Sequence, residues 1–204
     1  GLKIYGEESG KVISYAATMA HASQSGLSRL FDTLLEGEGG RLEPLDDLSF
    51  YEEGGVSGLI HGETVLFGTA AFCRKMHVTM PGGLSLKTGA FLAVDGTLIA
   101  IFAVKYTAAE NVDWALHALK RSRITPVLAV RDGSITPALL KRKFGTDARA
   151  VYPTISTRLA LSEKDGEHPY ALLYREGLMP YAEIAVGSKR LVHAVRMAAV
   201  LSLG

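Results

Sequence analysis

Two acidic residues followed by glycine, Asp132-Gly133 and Glu176-Gly177, and one glycine-rich stretch, Gly54-Gly55-Val56-Ser57-Gly58, are the positions where this chain could do chemistry. Each acid follows a short apolar run, 126–130 and 170–174. Each carboxylate is therefore expected at the carboxyl end of a strand, the edge where layered α/β sheets keep their ligands. A carboxylate there can accept a proton or help to hold a cation, although one alone rarely holds magnesium. Asp followed by Gly is also ordinary turn chemistry, and the sequence leaves both readings open. Gly55 and Gly58 carry no side chain to keep a ligand from the backbone amides. The same stretch equally suits the start of a hairpin.

Other chemistries find little support. The six histidines, His21, His61, His77, His117, His168 and His193, show no metal-ligand spacing, and the single cysteine, Cys73, has no second thiol beside it. No metal site is therefore expected. No Gly-x-Ser-x-Gly elbow follows any strand, which disfavours Ser-His-Asp hydrolysis. A formal net charge of +1 gives no electrostatic footprint for nucleic acid; Lys141-Arg142-Lys143 closes a helix, where cations suit the dipole. With 48% hydrophobic and 21% charged residues the chain reads as globular. No apolar run approaches the ~20 residues of a spanning helix, so the expected product is soluble. Gly1 in place of Met suggests a tag scar or an excised fragment of something longer.

The elements that must position these residues fall into two halves. The first carries a helix over 11–22, a second with Leu27, Leu30, Phe31, Leu34 and Leu35 on it, and then strands with little room for crossovers, which predicts an antiparallel sheet with helices. His61-Gly62-Glu63 and, more strongly, Asp95-Gly96-Thr97 mark hairpins. Pro81-Gly82-Gly83 breaks the pattern and suggests a boundary, dividing the chain into 1–86 and 87–204. From about Tyr106 strand and helix alternate, which predicts a parallel sheet covered by helices. Thr107-Ala108-Ala109-Glu110 has the form of a capping box for a helix over 107–121. Thr136-Pro137 opens another that Gly145 closes, with strands at 126–130, 148–152 and 170–174, a helix near 156–163 and a last helix over 189–201.

Several segments then match one family in order. Ser23-Gln24-Ser25-Gly26-Leu27-Ser28 closes the first helix, Glu53-Gly54-Gly55-Val56-Ser57-Gly58 and Val65-Leu66-Phe67-Gly68 frame a hairpin, Ala93-Val94-Asp95-Gly96-Thr97-Leu98 follows, and Arg123-Ile124-Thr125-Pro126-Val127-Leu128 leads to Asp132. In this order they resemble the cytoplasmic part of heavy-metal-type P-type ATPases over nearly the whole chain. The family's corresponding segments are Ser-Glu-His-Pro-Leu-Ala, Gly-x-Gly-Val-x-Gly, Val-Leu-x-Gly, Ala-Val-Asp-Gly-x-Leu and the run into Thr-Gly-Asp. The resemblance implies an α+β nucleotide-binding-like domain over 1–86. Over 87–204 it implies a phosphorylation-like α/β domain of haloacid-dehalogenase type. It also implies a nucleotide site at Ser25, Gly26, Gly55 and Gly58.

The departures bear on activity. Ser25 and Gly26 stand where the family has a His-Pro pair that packs on adenine, and Glu53 where it has the first glycine. Val130-Arg131-Asp132 replaces Thr-Gly-Asp, Ser156 stands in place of a lysine, and Arg175-Glu176-Gly177-Leu178-Met179-Pro180 replaces the magnesium loop. No Asp-Lys-Thr-Gly-Thr occurs. Asp132 and Glu176 thus read as relics, with no catalytic residue expected. Losing nucleophile, lysine and magnesium ligands together removes phosphoryl transfer. The resemblance implies a degenerate head, held at the cytoplasmic face by the membrane domain of a longer parent, with weak ATP binding and no dependence on magnesium. An active cation pump with its aspartate upstream, and a free-standing scaffolding or binding domain, are the alternatives.

Overall fold

The computed structural model describes residues 1–81, 89–107, 109–145, 150–163 and 178–202, with side chains described as far as residue 197. In chain order the elements are β1 (Leu2–Ile4), α1 (Ser9–Ala22), α2 (Ser28–Gly37), β2 (Asp46–Tyr51), β3 (Gly55–Ile60), β4 (Glu63–Gly68), α3 (Ala70–Lys75), β5 (Gly89–Val94), β6 (Thr97–Ala103), α4 (Val112–Arg121), α5 (Pro137–Phe144), α6 (Ile155–Ser162) and α7 (Leu178–Ser202). No helix among the described residues is long and apolar enough to cross a membrane.

The first unit gathers Gly1–Lys105, Ala129–Ile135 and Pro153–Ser162. Its centre is a six-stranded sheet in the order β1-β6-β5-β4-β3-β2, every neighbouring pair antiparallel. Both expected hairpins form with two-residue loops, since Ile60 pairs with Glu63 and Val94 with Thr97. His61-Gly62 and Asp95-Gly96 all take positive φ, as the loop that follows strand twist requires.

The side chains alternate across this sheet. On one face Val56, Ile60, Val65, Phe67, Leu92 and Phe102 meet the two long helices. Phe31 of α2 stands edge-on to Phe67 and Phe102 with ring centroids 5.4 and 4.8 Å away. Every residue of α1 from Val12 to Ala20 is buried, because the helix is wrapped on all sides, and its alanines at 16, 17 and 20 permit that closeness. On the other face Leu66, Phe91, Ala93, Leu98 and Ile101 form a second core with Phe72 and Cys73 of α3. Burial pushes the Cys73 thiol up to about 11.

β5 and β6 lie beyond residue 86 yet complete the first sheet, so the two units divide elsewhere than the sequence predicts. The two units also exchange segments after residue 105. The second unit holds Tyr106–Leu128, Thr136–Tyr152 and Glu163–Gly204. Here α4 and α7 pack through Ala115, Leu119, Ala182 and Val186. The expected cap of α5 is present: Thr136 Oγ1 accepts from the Leu139 N–H at 3.3 Å, Pro137 opens the helix and Gly145 closes it at φ 61°. The capping box at 107–110 does not form; α4 starts after Asn111, which takes φ 61° and makes no side-chain cap. α7 begins eleven residues earlier than predicted, at Leu178 rather than Lys189, and takes in Pro180 in its first turn, where a missing N–H costs nothing.

The parallel sheet of the second half is not formed among the described residues. Val127 and Val151 make one parallel bridge and nothing longer. Each is half exposed, whereas parallel strands persist only when both faces are covered. The apolar run 170–174 and Glu176 lie outside the described residues.

Candidate functional site

The expected site residues lead to one end of the first unit's sheet, where β2 and β4 stop and β3 and β5 start. Tyr51, Gly55, Gly68 and Gly89 bring those strands to a common rim, and Ser23 and Ser25 reach it from the connection between α1 and α2. The returning segments supply Asp132, Gly133, Ile155 and Arg158.

Glycine is required at this rim for close approach of the chain to itself. A Cβ on Gly55 would stand 2.0 Å from the Phe72 ring, and one on Gly68 would stand 2.4 Å from Gly55 Cα. Gly54, at φ 82°, faces Gly133 so closely that a Cβ on Gly133 would lie 2.1 Å from Gly54 Cα. The backbone amides that the sequence offers to a ligand thus meet a turn of the same chain. The open space left is ≈ 30 Å³, enough for a water or two and well short of the roughly 300 Å³ at which small-molecule pockets begin.

Two charged residues fasten that turn. Arg158 is fully buried, and its guanidinium donates to the carbonyls of Pro153 (3.1 Å) and Val130 (3.3 Å) and to Glu52 Oε2 (3.3 Å). Glu52, in the β2–β3 connection, also accepts from the Ile155 N–H through Oε1 at 2.5 Å. A carboxylate at the first turn of α6 meets the positive end of the helix dipole. Arg131 lies 6.0 Å from the Phe50 ring centroid and donates to Ser162 Oγ at 2.8 Å.

The predicted residues now have places. Ser25 lines the rim, but it is buried and its Oγ accepts from the Leu27 N–H at 3.2 Å, which turns the chain into α2. Gly55 lines the rim beneath Phe72. Gly58 does not: three residues along β3 puts it on the opposite face of the sheet, where a Cβ would meet Leu45 Cδ1 at 2.5 Å. Gly26 is exposed and lines nothing here. Asp132 is buried, follows no strand among the described residues and accepts from the Ser134 N–H at 2.9 Å, which is Asx-turn geometry. Glu53 bonds Lys75 Nζ at 2.5 Å; that bond first, and then one to its own backbone, hold its carboxyl below the usual range. Its charge is therefore already partly answered.

Sequence reasoning did not find Glu52, Arg158 or the partnership of Gly54 with Gly133. Nothing local marks Arg158 as buried, since beyond the nearby Pro153 carbonyl its partners lie 28 and 106 residues away. The Gly133 signal was visible, but as the second half of an ordinary turn.

A second polar cluster joins α1 to the β3–β4 hairpin. Glu63 accepts from the Tyr15 hydroxyl and from Lys11 Nζ (3.0 Å), while Glu43 bonds His61 Nε2 (2.8 Å) and accepts from Ser14 Oγ (3.1 Å). The Tyr15 bond, then Lys11, lowers the Glu63 carboxyl, and the His61 bond, then Ser14, lowers Glu43. Burial and then Glu63 raise the Tyr15 hydroxyl, and the Glu63 hydrogen bond raises Lys11. Each group in this cluster is engaged in fastening the fold.

No family profile matches the chain, and no curated protein sequence matches it. Among solved structures, the N-domain of HMA8, a copper-transporting P-type ATPase, is 16% identical over 52% of this chain and 97% of that one, with a TM-score of 0.44. The N-domain of HMA6, also a copper-transporting P-type ATPase, is 16% identical over 52% of this chain and 95% of that one, at 0.45. The catalytic domain of the CPx-ATPase CopB-B is 15% identical over 75% of this chain and 53% of that one, at 0.46. Similarity at this level establishes neither family membership nor activity.

Proposed function

We propose that this chain is the degenerate cytoplasmic head of a P-type-ATPase-like membrane protein, in which the place expected for a nucleotide is filled by the chain's own Asp132-Gly133-Ser134 turn. The order of the sequence segments supports the lineage. The observation that carries the loss of function is the contact of Gly133 with Gly54, which leaves ≈ 30 Å³ at the rim. Nucleotide could enter only if the turn withdrew. Arg158 ties the turn to α6 through the Val130 carbonyl, so withdrawal of the two together would part Arg158 from Glu52. Breaking a buried pair costs about 3–5 kcal/mol; Glu52 is half exposed, so about 3 kcal/mol is a fair upper figure after screening. An opening cost of that size lowers apparent affinity roughly 100-fold.

ATP binding by this chain is therefore millimolar or weaker and gains nothing from magnesium, and no phosphoryl transfer occurs on it. Calorimetric titration with ATP, with and without magnesium, tests the first part. Micromolar affinity would overturn the closed rim. Incubation with labelled ATP tests the second: an acid-stable, hydroxylamine-labile phosphate on any residue would restore the active-pump alternative.

A further inference from the structure

The second half of α7 carries an unpartnered face of definite chemistry. Up to Val186 the helix packs on α4, but every residue from Gly187 to Met197 is exposed. At about 100° per residue, Ala194, Leu191, Val195 and Val192 fall in one continuous sector. Leu191 and Val195 are 66% and 60% exposed. Arg190 borders that sector on one side and Arg196 on the other. Lys189 and His193 lie on the far side, towards α4, where Lys189 Nζ donates to the Ser122 carbonyl (2.5 Å) and the Arg123 carbonyl (3.2 Å). After Glu183 the sequence has three basic residues and no acid.

We infer that this half of α7 lies flat on an anionic phospholipid surface, with Leu191, Val192 and Val195 in the acyl boundary and Arg190 and Arg196 reaching the headgroups from either border. An exposed apolar sector on a helix needs cover. A water-soluble acidic partner would answer the arginines alone and a neutral apolar partner only the aliphatic sector. A bilayer interface with anionic lipid answers both in this order around the helix. Long arginine side chains at the borders of such a sector extend their charges to the headgroups while their stems stay apolar. No helix among the described residues, α7 included, is long and apolar enough to span a membrane. The inference stands apart from the glycine rim: no residue of the first unit takes part.

The test is co-sedimentation of the whole chain with vesicles of phosphatidylcholine, with and without phosphatidylserine. Binding should require phosphatidylserine and weaken with added salt. Arg190→Gln with Arg196→Gln should weaken it about 30-fold, from the attraction of two basic residues to an anionic leaflet. Leu191→Ser with Val195→Ser should weaken it about tenfold or more at unchanged charge. Both pairs are at exposed positions, and circular dichroism should be unaltered. Equal binding to both vesicle types, or binding indifferent to either pair, overturns the inference. So does a concentration-dependent dimer abolished by Leu191→Ser, which would assign the face to a second copy. Tighter binding to duplex DNA than to phosphatidylserine vesicles also overturns it.

Discussion

Replacing Gly133 by alanine isolates the contact that closes the rim. Gly133 does not take a positive φ, so alanine carries no backbone penalty there and the effect is steric alone. The added Cβ would lie 2.1 Å from Gly54 Cα, 2.9 Å from Gly54 C and 3.0 Å from Gly54 O. All three are backbone atoms of a residue held between Tyr51 and Thr69: the Gly54 N–H donates to the Tyr51 carbonyl at 3.1 Å and its carbonyl accepts from the Thr69 N–H at 3.0 Å. No side chain can swing aside, so the turn must withdraw. Overpacking of this kind costs about 1–3 kcal/mol. The first unit should lose that much stability, read by hydrogen exchange of its amides, because the single tryptophan, Trp114, lies in the second unit. ATP should bind the variant more tightly, since part of the opening cost is already met. Gly10→Ala is the control: a Cβ there meets nothing within 4 Å in the first turn of α1, and alanine should stabilise by about 0.5–1 kcal/mol. If Gly133→Ala leaves exchange and ATP affinity as they were, the rim is not closed by this contact.

Three further outcomes follow from the geometry. Glu43 and Glu63 have folded pKa values below the ordinary 4.5, so their contribution is full above that pH and is lost as acid titrates them; Tyr15 is raised above 10.0 and Lys11 above 10.5, so theirs is full below those values and lost as alkali rises. Denaturant midpoints of the first unit should thus be flat between about pH 5 and 9 and fall on either side, with Tyr15→Phe shrinking the alkaline fall; an unchanged alkaline limb would refute the Tyr15 assignment. Cys73, fully buried with its thiol pushed up to about 11, should resist iodoacetamide at neutral pH until the first unit unfolds, whereas rapid native labelling would contradict the packing of α3. Gly187→Ala, at an open position inside α7, should raise the stability of the second unit by about 1 kcal/mol, followed through Trp114 fluorescence.

What the sequence showed and what it hid divide along physical lines. Local chemistry was legible: Asp95-Gly96 and His61-Gly62 set two-residue hairpins, Thr136-Pro137 opened a helix and Gly145 closed it. So was the antiparallel character of the first half, because the gaps between its strands are too short for crossovers. The alternation of short apolar runs with helices in the second half is matched among the described residues by a single parallel bridge, Val127 with Val151. The spacing within the glycine stretch takes its meaning from the strand: inside β3 an odd spacing sends Gly55 and Gly58 to opposite faces. Gly55 answers to Phe72 and Gly58 to Leu45, contacts set by tertiary packing. Asp132 read as a site acid or, more readily, as a turn acid, and the hydrogen bond it accepts from the Ser134 amide gives it the geometry of the turn.

The discontinuity of the first unit has a consequence for how the chain is made. Its sheet is complete once Ala103 has emerged, yet Ala129–Ile135 and Pro153–Ser162 must still arrive before Gly54 is covered and Arg158 finds Glu52. A nascent or proteolysed chain ending near Lys105 would therefore carry a paired sheet with its glycine rim bare. During synthesis at about 5–20 residues per second, that interval lasts several seconds, long enough for a chaperone to reach a rim that the finished protein conceals.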